Sequence, residues 1–246
     1  MRVLDAFLEI NGEAGTNEVS RRTGINPSTV SRLLSTLVSG GFVEHIPETG
    51  RYRLGPHLIR LANHAVSQID VRALARPHLV ALEEETGETA TLSIAGENEA
   101  VTVDFVVSRA TVASVARIGR PSIAHATATG KVMLAFAPTA RFSAELEAYT
   151  DRTITTSKRL MREVAAVREQ GWAEAVRERE VDLNAIAAPI YGGSGELAGI
   201  LGVQGPAGRF GRKKREAARP ALLARARALS EALGYTGSDA REIPLP

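Results

Sequence analysis

The chain has 246 residues, enough for one large domain or two ordinary ones, and its 44% hydrophobic and 24% charged content excludes disordered and fibrous classes. It has no cysteine, which excludes disulfide frameworks and thiolate metal sites, and no apolar run approaches the ~20 residues of a membrane span. The first ten residues carry acids where a signal peptide is uniformly apolar, so a cytoplasmic location and no membrane partner are expected. The net charge of +2 says little about partners. Residues 1–65 hold seven arginines against six acids, so any case for nucleic acid must come from where the arginines sit.

In chain order, Val3, Leu4, Phe7, Leu8 and Ile10 recur at helical spacing, and Asn11-Gly12 ends that helix. Thr16 or Asn17 is expected to cap a second, short helix that points Val19 inward and Arg21 and Arg22 outward. Thr23-Gly24-Ile25 makes a tight turn, because glycine tolerates the sharp reversal between two helices. Asn26 then caps and Pro27 opens a third helix. Its expected buried stripe is Val30, Leu33, Leu34 and Leu37, which leaves Ser28, Thr29, Ser31, Arg32 and Ser35 on the other side until Gly40-Gly41 stops it. Strand-like pieces at 42–46 and 51–54 flank the turn Pro47-Glu48-Thr49-Gly50, and a further helix is expected over 56–67.

Helix, helix-turn-helix, then hairpin is the order of a winged helix-turn-helix, and every local signal agrees with it. The third helix presents short hydroxyl residues and one arginine, slim enough to enter a major groove ~12 Å wide. Ser and Thr hydroxyls reach phosphates or base edges, and Arg32 can grip a guanine or a phosphate with two hydrogen bonds. Arg51 and Arg53 in the hairpin are expected to touch the adjacent backbone as a wing does, with Tyr52 packed inward. Arg21 and Arg22 are expected on backbone phosphates, and double-stranded operator DNA is the expected partner.

Past a joint near 68–71 the texture changes. A helix over 72–85 precedes apolar stretches at 90–95, 100–107 and 112–117; helices at 129–136 and 157–170, the latter capped by Ser157, precede strands at 172–176, 185–191 and 197–204. A long last helix ends near Gly234, its basic start at 209–219 solvated and its apolar stripe made of Ala217, Leu222, Leu223, Ala226 and Leu229. The expected fold class is α+β: residues 1–67 as the winged domain with its linker helix, and 68–246 as an antiparallel-sheet domain.

The segments NEVSRRTGINPSTVSRLLSTLVSGGFVEH and GRYRLG resemble the DNA-binding domain of the IclR family of bacterial regulators. RIGRPSIAHATATGKVMLAF, the stretch from Thr153 to Glu180, NAIAAPI and GVQGPAGRF resemble that family's sensing domain, so the likeness covers nearly the whole chain. It implies a cupped, GAF-like antiparallel sheet holding a small organic effector, a carboxylic acid or an aromatic-catabolism intermediate, and a homodimer or homotetramer. Carried over by position, the implied pocket residues are Thr111, Ser114, Ala128, Thr129, Glu174, Ala185, Gly202 and Gln204.

Other signals are weaker. Ala128-Thr129-Gly130-Lys131 has the look of the end of a P-loop, but His125 stands where the first glycine belongs and Val132 replaces the magnesium-binding hydroxyl. Glu178 and Glu180, interleaved with Arg177 and Arg179, read as a solvated charged edge. The five histidines have no metal-ligand spacing, and no nucleophile elbow or Ser/His/Asp grouping is evident, so no metal, cofactor or catalytic residue is expected.

Overall fold

The structure, a computed structural model, describes residues 2–10, 12–67, 70–111, 116–119, 121–143 and 145–237. The chain divides into two compact units, 1–69 and 70–246.

Unit 1 contains α1 (Arg2–Glu9), α2 (Thr16–Thr23), α3 (Pro27–Ser39), the antiparallel hairpin β1 (Val43–Ile46) and β2 (Arg51–Leu54), and α4 (Pro56–Ser67). Val3, Ala6, Phe7, Val19, Val30, Leu34 and Val43 form its core. The hairpin is tied to the helices where Ala14 and Tyr52 exchange backbone hydrogen bonds of 2.8 and 2.9 Å, and Tyr52 packs inward against that core. Gly24 has φ +68°, a conformation an L side chain adopts at a cost, and that turns the chain from α2 into α3. Asn26 caps α3 as expected: its Oδ1 accepts the Ser28 N–H at 3.0 Å, and Pro27 stands at the first helical position.

Three expectations are corrected here. The N-cap of α2 is Gly15, without a side-chain bond, so Thr16 and Asn17 lie inside the helix. Leu33 is 38% exposed, because α3 contacts the core through the i, i+4 pair Val30 and Leu34, with Leu37 and Val38 alongside. The helix α1 ends at Glu9 rather than at Asn11-Gly12; Asn11 lies outside the described residues.

Unit 2 contains α5 (Val71–Thr86), β3 (Thr89–Ala95), β4 (Glu99–Val106), β5 (Pro121–Ile123), α6 (Ala128–Phe136), α7 (Ser157–Gln170), β6 (Ala173–Val176), β7 (Leu183–Tyr191), β8 (Leu197–Pro206) and α8 (Arg212–Ala232). The strands make one six-stranded antiparallel sheet in the order β5-β4-β3-β8-β7-β6. Both faces are covered. One carries α5 and α8, through Leu79, Leu82, Leu222 and Leu229; the other carries α6 and α7, through Val132, Met133, Leu160 and Val164. A sheet covered on both faces buries nearly every side chain of its central strands, which is why β7 and β8 read as apolar runs.

The N-cap of α7 is Thr156, not Ser157, which is its first helical residue. On α8 the buried apolar positions are Ala218, Leu222, Ala226 and Leu229, so Ala217 belongs to the exposed side and the stripe begins one residue later; Arg215, 7% exposed and paired with Glu174, departs from the solvated basic start expected there. The strand expected over 112–117 falls mostly on 112–115, outside the described residues, as does the residue pair 68–69 of the expected joint. The short edge strand β5 lay in a stretch where no strand was expected.

Candidate functional sites

In unit 1, the exposed side of α3 is built by the same periodicity that buries Val30 and Leu34. Ser28, Ser31, Arg32 and Ser35 are exposed, and Thr29 is half-buried. The small side chains are held close to the helix: the Ser28 hydroxyl donates to Asn26 Oδ1 at 2.8 Å and the Ser35 hydroxyl to the Ser31 carbonyl at 3.0 Å. Arg32 and Arg21 have neither a hydrogen bond nor an ion pair among the described residues. Their guanidiniums keep all five donors for an outside acceptor.

The other arginines differ. Arg22 is paired with Glu9 at 3.0 Å, and Arg53 with its cross-strand neighbour Glu44 at 2.8 Å, both on the surface. Arg51 is part-buried and clips the hairpin to the α1–α2 segment: its Nη2 donates to the Glu13 carbonyl at 2.6 Å and to Glu18 at 2.8 Å. The structure therefore gives Arg51 a role in holding the wing, which sequence spacing did not reveal.

In unit 2, a cavity of about 60 Å³ opens between the N-terminus of α6 and the sheet. That is several times the ~10–15 Å³ a single water requires. Its wall includes Thr102 of β4, Arg117, Ser122 of β5, Thr127, Ala128 and Thr129 at the start of α6, Ala175 of β6, the turn residues Glu178, Arg179 and Glu180, Ala185 of β7 and Gln204 of β8. Four of the eight residues implied by resemblance are among them: Ala128, Thr129, Ala185 and Gln204.

Three of the other four fall elsewhere. Thr111 is exposed and away from the wall, and Ser114 lies outside the described residues. Glu174 faces the other way, since strand alternation gives the wall to Ala175 and turns Glu174 to Arg215, whose Nε it meets at 3.0 Å. Gly202 stands behind the wall: a Cβ there would come within 2.6 Å of Thr91 Oγ1, so glycine permits close strand packing.

The start of α6 is arranged to meet an anion. Thr127 caps it, its hydroxyl accepting the Gly130 N–H at 3.0 Å while donating to the Ile123 carbonyl at 2.9 Å. Ala128 and Thr129 occupy the first two helical positions, whose N–H groups have no intrahelical acceptor, and the helix dipole adds a partial positive charge. Gly130 lets the helix end come this close, since a Cβ would lie 2.5 Å from the Ile123 carbonyl oxygen. The same wall carries Arg117 and Arg179 together with Glu178 and Glu180, and Arg179 Nη1 donates to the Pro121 carbonyl at 2.6 Å.

Behind the wall lies a buried ion cluster. Lys131 is 1% exposed, and its ammonium spends its three donors on Glu178 Oε1 (2.8 Å), Glu163 Oε1 (3.0 Å) and the Glu174 carbonyl (2.9 Å). It has no donor left for a phosphate, which closes the P-loop reading. Glu178 is buried too, so the solvated edge expected at 178–180 is corrected: only Arg177 of that run is exposed. Burial pushes the Glu178 carboxyl above its ordinary range, against the opposing pull of Lys131. One signal could have found this pair. A lysine in an otherwise apolar helix (Val132 to Phe136 are all buried) must have an anionic partner in the fold.

His125 is a hydrogen-bonded structural residue, its Nε2 2.9 Å from the Glu147 carbonyl oxygen. Among the described residues no group of three or more His, Asp or Glu is placed to hold a metal ion, and no helix is long and apolar enough to cross a membrane.

A winged helix-turn-helix joined in one chain to a sensor-like sheet domain defines a class of bacterial transcription regulator. Comparison with known proteins gives the family. Residues 1–47 match the IclR helix-turn-helix domain, and residues 63–231 match the bacterial transcriptional regulator IclR C-terminal domain. The HTH-type transcriptional regulator XynR of Escherichia coli is 32% identical over 240 residues, covering 96% of this chain and 95% of that protein. The E. coli transcriptional repressor IclR is 28% identical, over 85% of this chain and 79% of its own. The crystal structure of a putative IclR transcriptional regulator from Silicibacter sp. TM1040 superposes with a TM-score of 0.80 at 29% identity, covering 96% of this chain and 95% of that one. The chain belongs to the IclR family of transcriptional regulators.

Proposed function

We propose that the exposed side of α3 reads operator DNA in the major groove, with Arg32 as its principal base or phosphate contact. Asn26, Ser28, Thr29, Ser31 and Ser35 fit the phosphates and base edges beside it, while Arg21, Arg22 and Arg53 meet the backbone. The observation that carries this reading is the unpaired Arg32 guanidinium amid exposed hydroxyls, on the helix face opposite Val30 and Leu34. The chain acts as a homo-oligomer: Leu8 on α1 and Ile59 and Leu61 on α4 are 78%, 63% and 46% exposed, apolar surface that a second copy would cover. Two such helices then read the half-sites of a pseudo-palindromic operator.

The cavity in unit 2 holds a small organic acid, its carboxylate on the first N–H groups of α6 and its body oriented by Thr129 and Gln204. Binding there shifts the population between states of different operator affinity, with α4 as the connecting lever. No catalytic chemistry is assigned to the cavity, and the protein works in the cytoplasm. The test is a footprint on the DNA upstream of its own gene, repeated with a panel of small acids. Protection that an acid alters at constant salt supports the reading; protection that no acid alters leaves a regulator without the proposed sensor.

A further inference from the structure

The Lys131 cluster leaves one atom without a partner. Glu178 Oε1 is taken by Lys131, whereas Glu178 Oε2 is buried and has no hydrogen-bond partner among the described residues. The residue is only 9% exposed and stands in the wall of the same cavity as Thr129 and Gln204. A buried carboxylate oxygen with no donor costs free energy, and native structures leave few of them.

The local backbone is built to hold it there. Arg177 has φ 57°, the one positive φ outside glycine among the described residues, and this turns the chain so that Glu178 enters the interior while Arg177 stays in solvent. Two hydroxyls clamp the turn: Thr150 Oγ1 donates to the Arg177 carbonyl at 2.6 Å, and Thr153 Oγ1 donates to the Glu178 carbonyl. Strain held in place by several contacts marks a position whose geometry matters.

We propose that Glu178 Oε2 receives the hydroxyl of a hydroxy acid, so that the cavity selects such acids over their unsubstituted counterparts. This rests on the reading of the cavity as the effector site. The wall places a helix N-terminus for a carboxylate and, separately, an acceptor that lacks a donor; a hydroxy acid carries both complements in one small molecule. The wall already sets Arg117 and Arg179 against Glu178 and Glu180, so a neutral hydroxyl meets Oε2 without adding a charge to that balance.

The experiment is calorimetric titration of the full-length protein with matched pairs: glycolate and acetate, lactate and propionate, 3-hydroxybutyrate and butyrate. At least one hydroxy acid binds ten or more times tighter than its partner, since a site built to hydrogen-bond a hydroxyl rejects the analogue lacking it by up to about 10⁴-fold or more. In Glu178→Gln that preference falls several-fold. The amide keeps its oxygen on Lys131 and turns its NH₂ towards the ligand, so the hydroxyl loses a carboxylate acceptor and keeps at most a neutral hydrogen bond, about half as strong. Glu163→Gln, which removes the other carboxylate on Lys131 but leaves Oε2 in place, keeps the preference. If Glu178→Gln fails to fold, Glu178→Asp, which withdraws the acceptor by one methylene, takes its place with the same expectation.

The proposal is overturned if no hydroxy acid of the panel is preferred, if the preference is undiminished in Glu178→Gln, or if Glu163→Gln lowers it equally. Ala185→Leu separates the two layers of the argument. Undiminished binding with the cavity filled refutes the cavity as effector site; binding lost in that variant, with the preference intact in Glu178→Gln, refutes only the role of Glu178.

Discussion

Truncating Arg32 to alanine separates reading from folding in unit 1. The side chain is exposed and makes no hydrogen bond or ion pair among the described residues, so its removal leaves fold stability within about 0.5 kcal/mol of the parent. A bidentate arginine–guanine contact is worth about 1–3 kcal/mol. A dimer on a two-fold operator makes two such contacts, which gives about 2–6 kcal/mol, or a loss of roughly 30-fold to 10⁴-fold in affinity. Fluorescence anisotropy on the promoter fragment, at several salt concentrations, measures both affinity and its salt dependence. If Arg32 meets bases, the loss is confined to the specific sequence and the salt slope is unchanged. If it meets phosphates, binding weakens on all sequences, and the slope falls by about 1 for each contact removed. An Arg32→Ala protein that binds as tightly as the parent at matched salt refutes α3 as the reading helix.

Three further outcomes follow from the geometry. Arg51→Ala, unlike Arg32→Ala, loses about 1–2 kcal/mol of stability, because the clip to Glu13 and Glu18 goes while its partial exposure weakens the ion pair; urea unfolding measures this, and a stability equal to the parent's refutes the clip. Lys131→Met strands Glu178 in the interior and costs about 2–4 kcal/mol, lowering the melting temperature of unit 2 by roughly 4–15 °C; adding Glu178→Gln to it recovers part of the loss, and a double variant no better than the single one argues against coupling. Because burial raises the Glu178 carboxyl above 4.5, its contribution to stability is whole below that pH and is lost as pH rises through the raised value. The urea midpoint of Glu178→Gln therefore gains on the parent as pH rises above about 4.5, and a constant difference refutes the assignment.

The winged domain was legible in the sequence because its signals are local. Asn26-Pro27, Gly24 and the Pro47 to Gly50 turn each fix their own piece of backbone, and the i, i+4 pair Val30 and Leu34 sets which side of α3 is left exposed. The unit 2 cavity was legible only in part, because its wall is assembled across the sheet. Resemblance supplied Ala128, Thr129, Ala185 and Gln204, but Thr102, Ser122 and Glu178 come from strands and turns that meet only in the folded unit. The run Arg177 to Glu180 shows how this happens. Alternating charge reads as solvent-facing unless a partner is known, and the partner, Lys131, stands 47 residues away. Arg51 hid its role for the same reason, since its acceptors at Glu13 and Glu18 belong to a segment more than 30 residues earlier.

Two adjacent residues of α6 set the walls of the cavity. Gly130 permits the helix end to lie against the backbone of Ile123 and Ala124, which brings the free N–H groups of Ala128 and Thr129 to one wall. Lys131, the next residue, reaches across the core to Glu178 and so fixes the turn that forms another wall. Both walls are thus referenced to a single helix, whose remaining residues, Val132 to Phe136, are locked in the core beside α7. On the proposed reading, an effector that meets the α6 N-terminus and Glu178 together loses little free energy in ordering either one, because packing already holds both. On the proposed reading, a ligand larger than the cavity would displace α6 or the 177–178 turn rather than single side chains, because close-packed elements shift together.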